Sequence, residues 1–153
     1  MVEFAGDVDK TLKILKDGEI RLVLEFGLTK SLQFYYLICD NFNNVLGHCC
    51  IRLSNEEKNK YIGNIEYEIY EKYRGNNYAL KATKLLCNVA KYYNVDKINI
   101  TTTHENLASI KTLEKLGARF IEIRKVPKNM RLHKISKEIR VYELDIERRN
   151  KIW

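Results

Sequence analysis

Tyr73-Arg74-Gly75-Asn76-Asn77-Tyr78-Ala79 is the stretch that decides how this chain reads. Before it, residues 61–70 have strand character. After it, Ala79, Ala82, Leu86, Val89, Ala90 and Tyr93 recur at helical spacing and predict a helix over 76–93. A strand that stops at a tight turn and restarts as a helix leaves several backbone N–H groups unpaired and aimed outward. With the positive end of the helix dipole behind them, these groups make a site for phosphate. A phosphorylated ligand is therefore expected here. A glycine beside an arginine also occurs in turns that merely connect elements, so the surroundings must decide.

Upstream, Asp7 or Asp9 can cap a short helix with Leu12 and Leu15 inward, stopping near Gly18. Residues 19–26 alternate around Leu22, Leu24 and Phe26 as a first strand. Residues 32–39 and 45–53 read as a hairpin joined by the turn-rich 40–44, and 54–60 as a polar loop. Downstream, 97–103 is a strand with Ile98 and Ile100 on one face. Asn106 can cap a helix carrying Leu107, Ile110, Leu113 and Leu116 and ending at Gly117. Two final strands, 119–126 and 139–147, flank a basic loop. A mixed sheet covered by helices is the packing this order predicts. With 153 residues and no repeat or linker, one domain over 1–153 is expected.

Composition narrows the class. Hydrophobic residues make up 45% and charged residues 31%, an ordinary globular balance. The longest apolar run, about 35–39, is far too short to span a bilayer, and residues 1–7 lack the basic start and apolar centre of a signal peptide. A cytoplasmic location and no membrane partner are expected. Cys39, Cys49, Cys50 and Cys87 have no CxxC spacing and read as reduced core residues. The three histidines do not cluster, so no metal is expected. Net charge is +7, and residues 119–153 hold eleven Lys/Arg against five Asp/Glu. That run suits an anionic partner or a solvated basic edge. It has few aromatics placed for base stacking, and nucleic acid is not the expected partner.

A second element gives the turn its meaning. Asn106-Leu107-Ala108-Ser109 opens a helix that ends in Leu116-Gly117-Ala118-Arg119-Phe120. Together the two resemble the GNAT family of N-acetyltransferases, which move an acyl group from acyl-coenzyme A to an amine, in a branch similar to the ribosomal-protein acetyltransferases. The resemblance runs over 19–146 and is most specific over 64–120. The family's phosphate turn reads Arg/Gln-x-x-Gly-x-Gly/Ala, and Arg74, Asn77 and Ala79 hold its motif positions. Asn77 departs from glycine, but asparagine tolerates positive φ better than most residues. The implied fold is α+β: a central, mostly antiparallel mixed sheet of about seven strands flanked by helices. By the same resemblance, the N–H groups of Gly75, Asn76, Asn77, Tyr78 and Ala79 hold the coenzyme A pyrophosphate. The strand backbone at Tyr67 and Ile69 pairs with the pantetheine arm, and Asn106 hydrogen-bonds that arm with Ser109 beside it. A plain helix cap is the other reading of Asn106.

The implied reaction is direct attack of a primary amine on the thioester of acetyl-CoA, needing a base, an acid and an N–H for the developing oxyanion. Asn64, Glu66 and Glu68 share one strand face, with Asn64 where many relatives place a catalytic glutamate. Glu66 and Glu68 are the candidate bases, acting through water; each can equally be a solvated strand carboxylate. Where many relatives carry a tyrosine acid this chain has Leu113, as do relatives resembling the ribosomal-protein branch. Ser109, Thr112, Tyr78 or water are left to protonate the thiolate. The family usually sets two helices between its first two strands; here only Gly27-Leu28-Thr29-Lys30-Ser31 joins them. The acceptor side is then open, or completed by the N-terminal helix, the basic 127–137 loop or a second subunit in a homodimer. The reading is an acetyl-CoA-dependent N-acetyltransferase acting on a small-molecule or protein amine without a metal. The alternatives are a non-catalytic acyl-CoA or nucleotide-binding module and, more weakly, a basic nucleic-acid-binding protein.

Overall fold

The computed structural model describes residues 3–4 and 8–146. In order it runs β1 (Glu3–Phe4), β2 (Ile14–Lys16), β3 (Ile20–Leu28), β4 (Gln33–Asp40), β5 (Val45–Arg52) and a single helical turn α1 (Asn59–Ile62). Then come β6 (Ile65–Ile69), α2 (Tyr78–Tyr92), β7 (Lys97–Thr102), α3 (Leu107–Leu116), β8 (Arg119–Lys125) and β9 (Glu138–Asp145).

The α+β architecture holds, but the sheet is divided. One sheet runs β1-β3-β4-β5-β6, with β2 also on β3; the other runs β7-β9-β8. Every paired strand is antiparallel. Where one central, mostly antiparallel sheet was expected, the strands form two antiparallel sheets, and the division falls between β6 and β7, the two strands that α2 connects. Asn64 is the last point where the halves meet. Its backbone N–H donates to Asn99 O at 2.7 Å, and its side-chain Oδ1 accepts from Asn99 N at 2.6 Å. On the other side its Nδ2 donates to Arg52 O at 2.8 Å and its carbonyl accepts from Arg52 N at 2.7 Å. Gly63, at φ +79°, makes this junction possible: a Cβ there would stand 3.0 Å from Thr101 N. On β5, Gly47 lets β6 lean close. A Cβ at that position would overlap the Glu68 carbonyl oxygen and sit 2.9 Å from Ile69 Cα. So β6 closes against β5 while it leaves β7.

α2 buries Ala82, Leu85, Leu86, Val89 and Ala90 in a core shared with Leu22, Phe34, Tyr36, Leu46, Ile51 and Ile65. Each of the larger side chains contributes about 1.5–3 kcal/mol by leaving water. α3 adds Leu113 and Leu116 to the same core, whereas Leu107, expected inward, is 66% exposed. The four cysteines are free and buried, as their core reading requires.

Three boundaries differ from expectation. Asp9 caps only one 3-10 turn, Lys10–Leu12, through its side chain on Thr11 N; Asp7 lies outside the described residues. Leu12 and Leu15 are buried as expected, but Leu15 belongs to β2, whose residues pair with β3 from Ile14↔Val23 to Lys16↔Arg21. A helix this short gains too few hydrogen bonds to offset its nucleation, and a neighbouring strand edge offers more. Residues 61–70 likewise split into the end of α1, the Gly63 turn and β6. Helix α2 starts at Tyr78, two residues later than expected, because Asn77 is left-handed. As expected, no helix separates β3 from β4.

Candidate functional site

The sequence builds the centre of the site from the turn it advertises. After β6, a 3-10 turn at Glu71–Tyr73 leads into Arg74, Gly75 at φ +88° and Asn77 at φ 60°, ψ 25°. Asparagine thus supplies the left-handed residue that entry into α2 requires, and a Cβ on Gly75 would meet nothing within 4 Å. Asn77 stands at the helix N-cap without a side-chain hydrogen bond to the helix, so the first N–H groups of α2 stay available. The turn is held from below: Arg74 Nε donates to Ile69 O at 2.8 Å and Asn76 Nδ2 to Tyr73 O at 2.9 Å.

From this turn a cavity of about 580 Å³ runs along β6 and the first turns of α3. Tyr67, Glu68 and Ile69 form its strand wall; Arg74, Gly75, Asn77, Tyr78 and Ala79 its turn end; Asn106 and Ser109 its helix wall. The volume lies within the usual range of small-ligand sites, about 300–1,000 Å³. All the expected binding residues except Asn76 line it directly, and Asn76 braces the turn. Two cations missed in the sequence also line it: Lys111 and Lys115, one helical turn apart on α3. Lys115 Nζ donates to Asn77 Oδ1 at 2.9 Å, which brings a positive charge from one helix to the mouth of the other. Their i,i+4 spacing is the signal that could have found them.

Beyond lies a second cavity of about 240 Å³, in the wedge where the two sheets part. Glu66, Thr101, Thr102 and Thr103 line it, and Leu132 and Ile139 close it. Leu132 comes from the basic 127–137 loop, so that loop lines this cavity. The N-terminal segment packs as β2 against β3 instead. Tyr67, Asn106 and Ser109 border both cavities. Tyr67 Oη lies 2.9 Å from Ser109 Oγ and bridges β6 to α3 across the gap. Burial holds the Tyr67 phenol above the usual tyrosine range, partly offset by hydrogen bonding from Ser109 and Thr112. Asn106 caps α3, accepting from Ser109 N at 3.1 Å through Oδ1. A cap uses only the oxygen, so the amide Nδ2 can still serve a ligand.

The carboxylates are placed unequally. Glu66 is ion-paired with the buried Arg52, which also donates to Gly63 O at 3.1 Å. Glu68 faces His48 on β5, with Nε2 and Oε2 3.3 Å apart. Cys50 lies near Glu66 but is no nucleophile: burial pushes its thiol up to about 11, so it is neutral at pH 7. Leu113 is fully buried and belongs to the core. Among the described residues no His, Cys, Asp and Glu cluster could hold a metal ion, and no helix is long and apolar enough to cross a membrane.

Residues 11–119 match the acetyltransferase (GNAT) domain family model. The chain belongs to the GNAT acetyltransferase family. Solved GNAT structures share the fold. The microcin C7 self-immunity acetyltransferase MccE, determined with acetyl-CoA and AMP, is 17% identical with a TM-score of 0.59, covering 76% of this chain and 62% of its own. Ribosomal-protein-S5-alanine acetyltransferase from Vibrio fischeri is 19% identical with a TM-score of 0.61, covering 78% and 64%. The N-terminal domain of ribosomal-protein-alanine acetyltransferase from Clostridium acetobutylicum is 19% identical with a TM-score of 0.55, covering 90% and 98%. This GNAT chain thus spans under two thirds of the first two proteins' lengths. No protein of curated function matches its sequence.

Proposed function

We propose that this GNAT protein moves an acetyl group from acetyl-CoA to the primary amine of a small-molecule or protein acceptor, both held at once. One observation carries the reading: a cavity runs from an open helix N-terminus along β6 and α3, and a second cavity, where β6 parts from β7, continues beyond it. The N–H groups from Gly75 to Ala79 would bind pyrophosphate, and the small Ala79 side chain would let it approach. Arg74, Lys111 and Lys115 would balance the phosphate charge. Backbone at Tyr67 and Ile69 would hold the pantetheine arm, with the Asn106 amide opposite and Ser109 beside it. When bound, acetyl-CoA supplies an activated thioester at the Tyr67–Ser109 partition.

The smaller cavity would receive the amine, and Glu66 or Glu68, through water, would take its proton. Four free, buried cysteines support a reducing, cytoplasmic setting.

A non-catalytic acyl-CoA-binding module is the second reading. It is favoured by Asn64, whose polar atoms are committed to Arg52 and Asn99, and by the buried Leu113. Titration calorimetry with acetyl-CoA, coenzyme A and RNA, followed by a broad amine panel, separates the readings. Coenzyme A binding with acyl transfer is expected. Binding without transfer favours the second reading, and RNA binding alone rejects both. Ala79→Glu should abolish coenzyme A binding by setting a carboxylate at the pyrophosphate; retained affinity would contradict the placement.

A further inference from the structure

If the cavity junction is where the thioester lies, as the proposed function requires, something there must give the departing sulfur a proton. Three residues border both cavities: Tyr67, Asn106 and Ser109. An amide and an aliphatic hydroxyl are far weaker acids than a thiol. A phenol is a stronger acid than either and is the nearest of the three to a thiol in acidity. α3 itself offers no acid at its buried face, since Leu113 is in the core. Thr112 donates its hydroxyl to Ala108 O at 3.0 Å.

We infer that Tyr67 is the proton donor to the leaving thiolate and that Ser109 is its positioning residue. The 2.9 Å contact fixes the phenol at the partition. When the Ser109 hydroxyl donates to Tyr67 Oη, the phenolic proton is free to point into the larger cavity. The step balances: the N–C bond forms, the C–S bond breaks, and sulfur takes the Tyr67 proton. The amine's proton leaves to water at Glu66 or Glu68, and solvent protons passed through Ser109 restore the phenol. The catalytic hydroxyl therefore comes from β6, on the opposite wall of the cleft from α3.

The test needs no acceptor. A phenol that donates to sulfur stabilises the thiolate, so coenzyme A bound to the wild-type protein should ionise at lower pH than free coenzyme A. Ultraviolet thiolate absorbance reads this directly. Tyr67→Phe should bind coenzyme A yet raise the bound thiol's pKa by about one unit, a tenfold change in its ionisation constant. Ser109→Ala should shift it the same way by less. Arg74, Lys111, Lys115, Glu66 and Glu68 remain in all three proteins, so the difference isolates the phenol. Equal thiol pKa in wild type and Tyr67→Phe overturns the assignment while leaving the coenzyme A site intact. Should Tyr67→Phe fail to bind, the wild type decides: a bound thiol ionising no more readily than the free one overturns it. No coenzyme A binding by the wild type overturns the proposed function and this assignment together.

Discussion

Replacing Asn64 by alanine tests whether this residue is a pin or a chemical group. The side chain makes two hydrogen bonds, from Nδ2 to Arg52 O at 2.8 Å and from Asn99 N to Oδ1 at 2.6 Å. Alanine removes both and leaves a β5 carbonyl and a β7 N–H unpaired at a partly buried junction. An unmade bond of this kind costs ~1–3 kcal/mol, so the pair should cost about 2–4 kcal/mol after allowing for partial hydration. In a protein of this size one kcal/mol moves Tm by about 2–4 °C, which predicts a fall of roughly 4–16 °C by circular dichroism. Urea unfolding should show a lower midpoint at unchanged slope. Coenzyme A affinity should fall too, because the wedge between β6 and β7 opens from this point. Asn64→Asp should lie between wild type and alanine, since it keeps the acceptor for Asn99 N–H and loses the donor to Arg52. A Tm within about 2 °C of wild type, with acyl transfer lost, would refute the reasoning and return Asn64 to the chemistry.

Lys115→Glu reverses the charge that α3 extends to Asn77, and should weaken coenzyme A binding at least tenfold, about 1.4 kcal/mol, by calorimetry. Wild-type affinity should fall with added salt more steeply than the variant's; matching salt slopes would remove Lys115 from the phosphate site. Asp40 predicts an acid effect. Hydrogen bonds from the Asn44 side chain, the Asn44 N–H and the Phe42 N–H hold its carboxyl below the usual 3.8. A depressed folded pKa gives stability that is present above the unfolded pKa and lost as pH falls through the folded one. Asp40→Asn should therefore melt below wild type at pH 7, and the gap should close below about pH 4. A constant gap from neutrality to pH 2.5 would disprove it.

Sequence legibility follows contact range. Asn77 as a positive-φ residue, Asn106 as a cap and Gly117 as a left-handed terminator at φ 75° depend on local sterics and short hydrogen bonds, and each was readable. The hairpin of β4 and β5 was readable for the same reason. What escaped depends on residues far apart in the chain. Asn64 meets Asn99, Asn77 meets Lys115, and Tyr67 meets Ser109. No periodicity records such pairings, and the division of the sheet rests on the first of them. The β2 strand escaped for a related reason: Leu12 and Leu15 fit helical spacing, and only the free edge of β3 decides otherwise.

Two of the positions where the chain leaves its family's usual pattern have physical reasons. Asn64 satisfies donors and acceptors on β5 and β7 together, and a glutamate has no N–H to offer Arg52 O. Leu113 fills the core beneath α3. Vacating those positions shifts the weight to β6 itself, where Glu66, Tyr67 and Glu68 alternate across the cleft. Of the two carboxylates, Glu66 is tied to an arginine, and a guanidinium neither accepts a proton nor passes one on. Glu68 is tied to His48, whose imidazole has two nitrogens and can pass a proton on. Glu66 lines the smaller cavity proposed for the amine and Glu68 the larger one, so both stay candidate bases. Base and acid would then be adjacent on one strand, their side chains on opposite faces because successive strand residues alternate. Such an arrangement would set the amine's proton and the sulfur's proton on separate sides of the thioester without any contribution from α3 beyond holding Tyr67 in place.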